Sequence, residues 1–282
     1  MPAPLIERLP TEAYTAPPIS TYCDDWKLHP LFDALAFKSN LLLLGPKGIG
    51  KTLAFQSWAA KQGCPIITFD CSEDVRRTHL LGMYVLRGQE TPYVLGPVTT
   101  ALEVANEAGR CVLVLEELNG LTPQMQKVLN PLSDFRRRLE VPECGRIFHL
   151  RPGAQLWVVG TLNSSAYGGV YALNEDLKSR FRMLSLDYPS PETERAILRG
   201  HFPEGLDESL LKKVLLLAQE TRQKALDYAL SPRDVVQVME DVRAVGIQSA
   251  LKLVLGKFEG ADAEMVRQRI HSIFHLKLTA GA

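Results

Sequence analysis

The stretch Leu41-Leu-Leu-Leu-Gly45-Pro-Lys-Gly-Ile-Gly50-Lys51-Thr52 decides how the rest of the chain reads. A short apolar run passes into the pattern G-x-x-x-x-G-K-[ST], and helical periodicity follows over residues 52–62. Glycines let a backbone wrap closely around a phosphate with its N–H groups pointing inward, and the helix that follows presents its positive end to the same charge. Gly45, Pro46, Lys47, Gly48, Ile49, Gly50, Lys51, Thr52 and Leu53 are therefore candidate nucleotide-binding residues. Lys51 is expected to reach the β and γ phosphates, and the Thr52 hydroxyl to ligate magnesium.

Working outward, four more short apolar runs lie at 66–69, 111–115, 156–160 and 183–186. Helical patterns fill the gaps at 98–108 and 123–133, the latter with Pro123 in its first turn after Thr122 as N-cap. Continuous apolar strands alternating with helices indicate an α/β fold, a mostly parallel five-stranded sheet covered on both faces. Pro142-Glu-Cys-Gly145, flanked by β-like runs, reads as a hairpin inserted near 139–150, and residues 86–93 as a second loop or hairpin. After Tyr188-Pro-Ser-Pro191 the strand signals stop, and helical periodicity runs through 192–200, 207–222, 232–244, 247–258 and 262–276. The expected organisation is a proline-rich arm over 1–20, laid on the surface or partly disordered, a core over 21–188 and an all-helical lid domain over 189–282.

Composition narrows the class. Lys plus Arg and Asp plus Glu each total 32 in 282 residues, so the formal net charge is zero, which argues against a protein that mainly coats nucleic acid. No apolar run approaches the roughly 18 residues of a membrane span, and the N-terminus lacks a signal-peptide pattern. The five cysteines are odd in number and form no C-x-x-C, as expected for reduced thiols in a cytoplasmic protein. His271 and His275 sit four apart on a helical pattern, but Ser272 stands where H-E-x-x-H has Glu, so structural histidines are expected rather than a zinc pair.

Three further segments suggest that a bound nucleotide is hydrolysed. Cys111-Val-Leu-Val-Leu-Glu116-Glu117 is an apolar strand ending in two carboxylates, a Walker B arrangement. The first acid would help to hold magnesium and the second, Glu117, would polarise the attacking water. Glu116 stands where Asp is usual, and its extra methylene changes the reach to the metal. Leu156-Trp-Val-Val-Gly-Thr-Leu-Asn163 can place Asn163 beside the γ-phosphate to orient that water. Leu177-Lys-Ser-Arg180-Phe-Arg182 can project an arginine onto a neighbour's nucleotide, Arg180 in preference to Arg182. Such a finger is worth ~10³–10⁵ in rate. Separately, Ser231-Pro-Arg233-Asp234 opens a helix of the second domain, where Arg233 could fold back onto the phosphates.

These motifs, in this order, resemble the AAA+ ATPases. The segments Cys71-Ser-Glu-Asp74, Leu95-Gly-Pro-Val-Thr-Thr-Ala-Leu102 and Asn130-Pro-Leu-Ser-Asp-Phe-Arg-Arg-Arg138 narrow the likeness to the MoxR-related branch, of CbbQ/NorQ/NirQ type, over about residues 30–240. The resemblance implies an αβα P-loop core followed by a helical lid, with β-hairpin insertions facing a client or pore. It further implies ATP and Mg2+ at each junction of a homo-oligomeric, hexameric ring. Such ATPases look like remodelling chaperones that act on a protein client, with a partner carrying a von Willebrand factor A domain. Ser164-Ser-Ala-Tyr-Gly-Gly169 identifies no client.

Two other readings remain open. Arg136-Arg-Arg138 would suit a nucleotide-gated nucleic-acid motor or restriction-type translocase, although such a run is more often a helix end or an intersubunit contact. Glu116 would suit a nucleotide switch with little hydrolysis.

Overall fold

The structure is a computed structural model that describes residues 5–163, 171–223 and 226–278; the segment 164–170, which includes the stretch read for a client signature, lies outside the described residues. These residues divide into two compact units. The first takes in the chain up to Ile19, then Trp26–Gly45 and Gly50–Leu186; the second takes in Ser20–Asp25, Pro46–Ile49 and the chain from Asp187 onward.

In chain order the first unit runs β1 (Ile6–Glu7), α1 (Leu28–Leu35), β2 (Asn40–Leu44), α2 (Lys51–Gln62), β3 (Ile66–Asp70), α3 (Arg77–Leu81), β4 (Gly82–Tyr84) and β5 (Tyr93–Leu95). It continues with α4 (Pro97–Ala108), β6 (Arg110–Glu116), α5 (Pro123–Val128), α6 (Asn130–Ser133), β7 (Arg138–Val141), β8 (Arg146–His149), β9 (Gln155–Leu162), α7 (Glu175–Lys178) and β10 (Phe181–Ser185). The main sheet has five strands in the order β10-β2-β9-β6-β3, and every pair in it is parallel. Cys111 to Leu115 of β6 are each fully buried, which is why they read as an unbroken apolar run. Gly160 on β9 meets a steric demand: a Cβ there would lie 2.8 Å from the Leu115 carbonyl oxygen and 2.9 Å from Leu42 Cδ2.

Where the sequence suggests one helix over 123–133, the structure has two. Thr122 caps the first, its hydroxyl accepting from the Met125 N–H at 3.4 Å. Pro131 interrupts the run because it has no N–H to give and its ring crowds the carbonyl four residues back. The insertion near 139–150 is the antiparallel hairpin β7–β8, and the loop near 86–93 joins the antiparallel pair β4–β5. The described part of the expected arm, from residue 5 onward, is more ordered than its prolines suggest. Ile6 and Glu7 pair in parallel with Tyr93 and Val94, and Thr11 donates to Glu107 at 2.7 Å.

The second unit holds α8 (Pro191–His201), α9 (Glu208–Gln223), α10 (Pro232–Val245), α11 (Ile247–Leu255) and α12 (Gly260–Phe274) around a core that includes Leu211, Leu215, Val235, Val238, Leu251 and Ile270. Glu194 and Arg222 form a buried two-point ion pair at 2.7 and 3.0 Å, and the Arg222 Nε donates to the Leu230 carbonyl, so the guanidinium is well supplied with partners. His275 lies past the end of α12 with φ 57°, so His271 and His275 do not share a helical face. Among the described residues no cluster of His, Cys, Asp and Glu is able to hold a metal ion, and no helix is long and apolar enough to cross a membrane.

Candidate nucleotide site

The parallel sheet brings the separate motifs together. In sequence β3 separates the phosphate-loop strand from the acidic strand, but in space the strand between β2 and β6 is β9. The carboxyl ends of β2, β9 and β6 therefore present Gly45, Asn163 and Glu116 side by side, at the end of an open parallel sheet where such folds hold ligands.

Lys51 opens α2 and is 7% exposed. Its ammonium donates to the Gly45 carbonyl at 2.8 Å and to Asn163 Oδ1 at 3.3 Å. Those are the contacts of a cation poised over a phosphate cradle. Gly48 and Gly50 have φ of 74° and 94°, a backbone that side chains other than glycine resist. Asn163 is buried, and its Nδ2 has no partner among the described residues, so a donor is held ready at the site. Thr52 Oγ1 donates to Glu116 Oε2 at 2.6 Å, which joins the two candidate magnesium-binding groups directly. A hydroxyl and a carboxylate are hard oxygen donors, and Mg2+ typically takes one or two such groups and completes its shell with phosphate and water. The residues present thus fit both a nucleotide phosphate chain and its magnesium.

Glu117 is exposed, and its backbone is left-handed at φ 49°, ψ 45°. That conformation costs a non-glycine residue about 1–2 kcal/mol and often occurs at functional sites. Its own N–H donates to Thr161 Oγ1 at 3.1 Å, and its carbonyl accepts from Gly120 N at 2.6 Å. Burial pushes the Cys71 thiol up, and the nearby carboxylates of Asp70, Glu116 and Glu117 push it further.

Two supporting residues escaped the sequence reading. Thr161 holds the backbone of Glu117. Asn119 donates to the Asn163 carbonyl at 3.3 Å, and its own carbonyl accepts from Tyr171 N at 2.7 Å. Thr161 lies within a motif quoted above and Asn119 two residues past one, but nothing in their spacing marks them as props rather than participants.

The two candidate arginines lie elsewhere. Phe181 is in register with Asn40, five residues before Gly45, so Arg180, one residue earlier still, sits about 20 Å along the strand direction from its own phosphate loop. That is farther than an arginine side chain spans. Arg180 is half-buried, with an Nε that has no partner among the described residues, and Arg182 is exposed on the edge strand. In the helical unit, Arg233 stands exposed in the first turn of α10. A Cβ on Gly48 would lie 2.3 Å from Ser231 Oγ and 3.4 Å from Arg233 Cβ, so the residues 46–49 of the loop pack against the start of that helix.

A parallel β10-β2-β9-β6-β3 sheet with a phosphate loop, tandem acids and a polar strand end defines a P-loop nucleotide-binding protein. The chain belongs to the AAA+ ATPases, in their MoxR-like branch, and residues 40–181 match the family described as AAA domain (dynein-related subfamily). It is 30% identical over 206 residues to the protein CbbQ of Hydrogenophilus thermoluteolus, covering 72% of this chain and 74% of that one. It is also 30% identical over 231 residues to the protein NorQ of Paracoccus denitrificans, covering 80% and 82%. A crystal structure from Cytophaga hutchinsonii superposes with a TM-score of 0.50 at 18% identity, covering 92% of this chain and 91% of that one, a likeness of fold. The αβα core and helical C-terminal part implied by the resemblance are therefore present, in an ATPase of the CbbQ/NorQ type.

Proposed function

We propose that this chain binds ATP with magnesium, hydrolyses it at the junctions of a head-to-tail ring and uses the cycle to remodel a protein client. Lys51 and the loop from Gly45 to Leu53 bind the phosphates, with Arg233 as a further phosphate-binding residue. Thr52 and Glu116 would hold the metal, which would supply charge neutralisation at the transferring phosphoryl group. Glu117 takes the proton of the attacking water, Asn163 orients that water, and Arg180 of an adjoining copy stabilises the developing charge. The observation that carries this reading is the placement of Arg180 toward the opposite end of the sheet from its own phosphate loop. From there it is available to the nucleotide of a second copy. A surface used in one place on one copy and in another on the next generates a ring when the rotation between copies closes, and an open filament when it does not.

Glu117→Gln tests it. The variant is expected to bind ATP and assemble like the parent but to turn over at least about a hundredfold more slowly. Absence of turnover in the parent chain under assembling conditions, with or without a partner, would replace this reading with the switch. The alternative of a nucleic-acid motor loses its main support in the arginine run. Arg136 pairs with Asp134, Arg138 with Glu140 at 2.8 Å, and Arg137 turns inward to Asn40 at 2.8 Å. The client of this reading is therefore a protein, as the family resemblance implies, with the hairpin β7–β8 and the β4–β5 loop as the surfaces that move it and a von Willebrand factor A domain protein as the partner.

A further inference from the structure

Asn40, the first residue of β2, is 4% exposed, and every polar atom of its side chain is bonded. Its Nδ2 donates to the Ser133 carbonyl at 2.7 Å and to the Arg180 carbonyl at 2.9 Å, and its Oδ1 accepts from Arg137 Nη2 at 2.8 Å. Arg137 also donates through Nη1 to the Leu132 carbonyl at 2.5 Å, from a backbone held at φ 43°. One buried amide thus ties three things together: the end of α6, the turn over residues 134–138 and the residue that carries the candidate finger. Side chains follow suit. The Asp134 carboxyl is held below its usual range first by Arg136, with Arg180 contributing. At the tip of the turn stands Phe135, a bulky aromatic left 92% exposed.

We propose that Phe135 and Arg180 form one pre-organised contact face for the nucleotide-bearing end of a second copy of this chain, locked in place by Asn40. The proposal rests on the ring reading above and names the residues that make the junction. Since Arg180 cannot serve its own phosphate loop, whatever is rigidly joined to it must accompany it to the neighbour. Charge supports the same occupant. Asp70, Glu73, Asp74 and Glu117 are exposed at or just beyond the carboxyl ends of β3 and β6, whereas Arg180 and exposed Arg182 bracket the start of the edge strand β10. Arg180 and Arg182 thus offer cationic partners, head to tail, to the carboxylates at the far end of a second copy's sheet. Phe135 is then the apolar anchor beside a charged pair, and Asn40 is a positioning residue.

Sedimentation velocity of the full chain with ATP and magnesium, over a concentration series, tests the face. Phe135→Glu alters a side chain that packs on nothing within the subunit. It is expected to raise the concentration for half-assembly at least about tenfold, with affinity for a fluorescent ATP analogue unchanged within about twofold. Assembly of this variant at the parent's concentration would overturn the proposal while leaving the ring reading intact. A parent that stays monomeric with ATP would overturn both. Asn40→Asp keeps the shape but removes both N–H donors. Its turnover per assembled ring should fall toward that of Arg180→Ala with KM for ATP unchanged, and the double variant should be no slower than Arg180→Ala alone. Additive losses would show that Asn40 does not act through Arg180. If Asn40→Asp fails to fold, the Phe135 measurement decides the matter.

Discussion

Shortening Glu116 to the aspartate usual at such strand ends should impair this protein rather than improve it. Thr52 Oγ1 and Glu116 Oε2 are 2.6 Å apart, a short hydrogen bond to a carboxylate. Removing one methylene withdraws the carboxylate by about one C–C bond, 1.5 Å, which opens the gap to about 4 Å and breaks the bond. Hydrogen bonds to charged groups are worth about 1.5–3 kcal/mol when buried, and the half-exposed setting reduces that to about 1 kcal/mol of stability. The larger effect falls on the metal. Losing a group that orients a ligand typically costs about 10–100-fold in metal affinity. Glu116→Asp should therefore raise the magnesium concentration for half-maximal ATP turnover at least about tenfold, measured as phosphate release against magnesium at fixed ATP. An unchanged or lower requirement would refute the reasoning, because the Thr52–Glu116 contact would then have no part in preparing the metal site.

Further expectations follow from other contacts. Lys51→Ala removes the ammonium that bridges Gly45 and Asn163, and should weaken nucleotide binding at least about a hundredfold in calorimetry. Gly160→Ala forces a methyl against the Leu115 carbonyl, and should destabilise by about 1–3 kcal/mol, lowering the melting temperature by several degrees. Asp234 in α10 is opposed by burial, but its bonds from Lys257, Ser231 and Tyr228 more than offset this and hold its carboxyl below the ordinary 3.8. A depressed folded-state value means that its stabilisation is present above that ordinary value and is lost as pH falls below it. Asp234→Asn should thus be less stable than the parent at neutral pH, with the gap in denaturant midpoint closing below about pH 4. Burial raises all five thiols, Cys64 to about 11, so at pH 8 a thiol reagent should label the half-exposed Cys23 first and leave the buried cysteines intact until unfolding.

The elements that the sequence announced were those whose burial is complete on both faces. Residues 111–115 and 156–160 are apolar without a break because helices cover both sides of their strands, and the phosphate loop is legible because few residue types tolerate its backbone. The props were illegible for the opposite reason. Asn40 opens a leucine run and looks like the polar edge of a strand; its worth depends on Ser133, Arg137 and Arg180, partners 93 to 140 residues away. Arg137 looked like one of three equivalent charges, but its neighbours face solvent and only it turns inward. The N-terminal strand was hidden because two residues are too few to show a period, and pairing with Tyr93 and Val94 decides their conformation.

The strand order has a consequence for biosynthesis. The strand Asn40-Leu-Leu-Leu-Leu44 is made first of the five, yet its two neighbours, β9 and β10, are made last. At about 5–20 residues per second, the gap of about 110 residues before β9 keeps four consecutive leucines waiting for about 5–20 s. Throughout that interval both edges are open to any other nascent chain. Slower translation or a colder culture would lengthen the exposure, and a ribosome-bound holdase that covers residues 40–44 would raise the yield of folded protein.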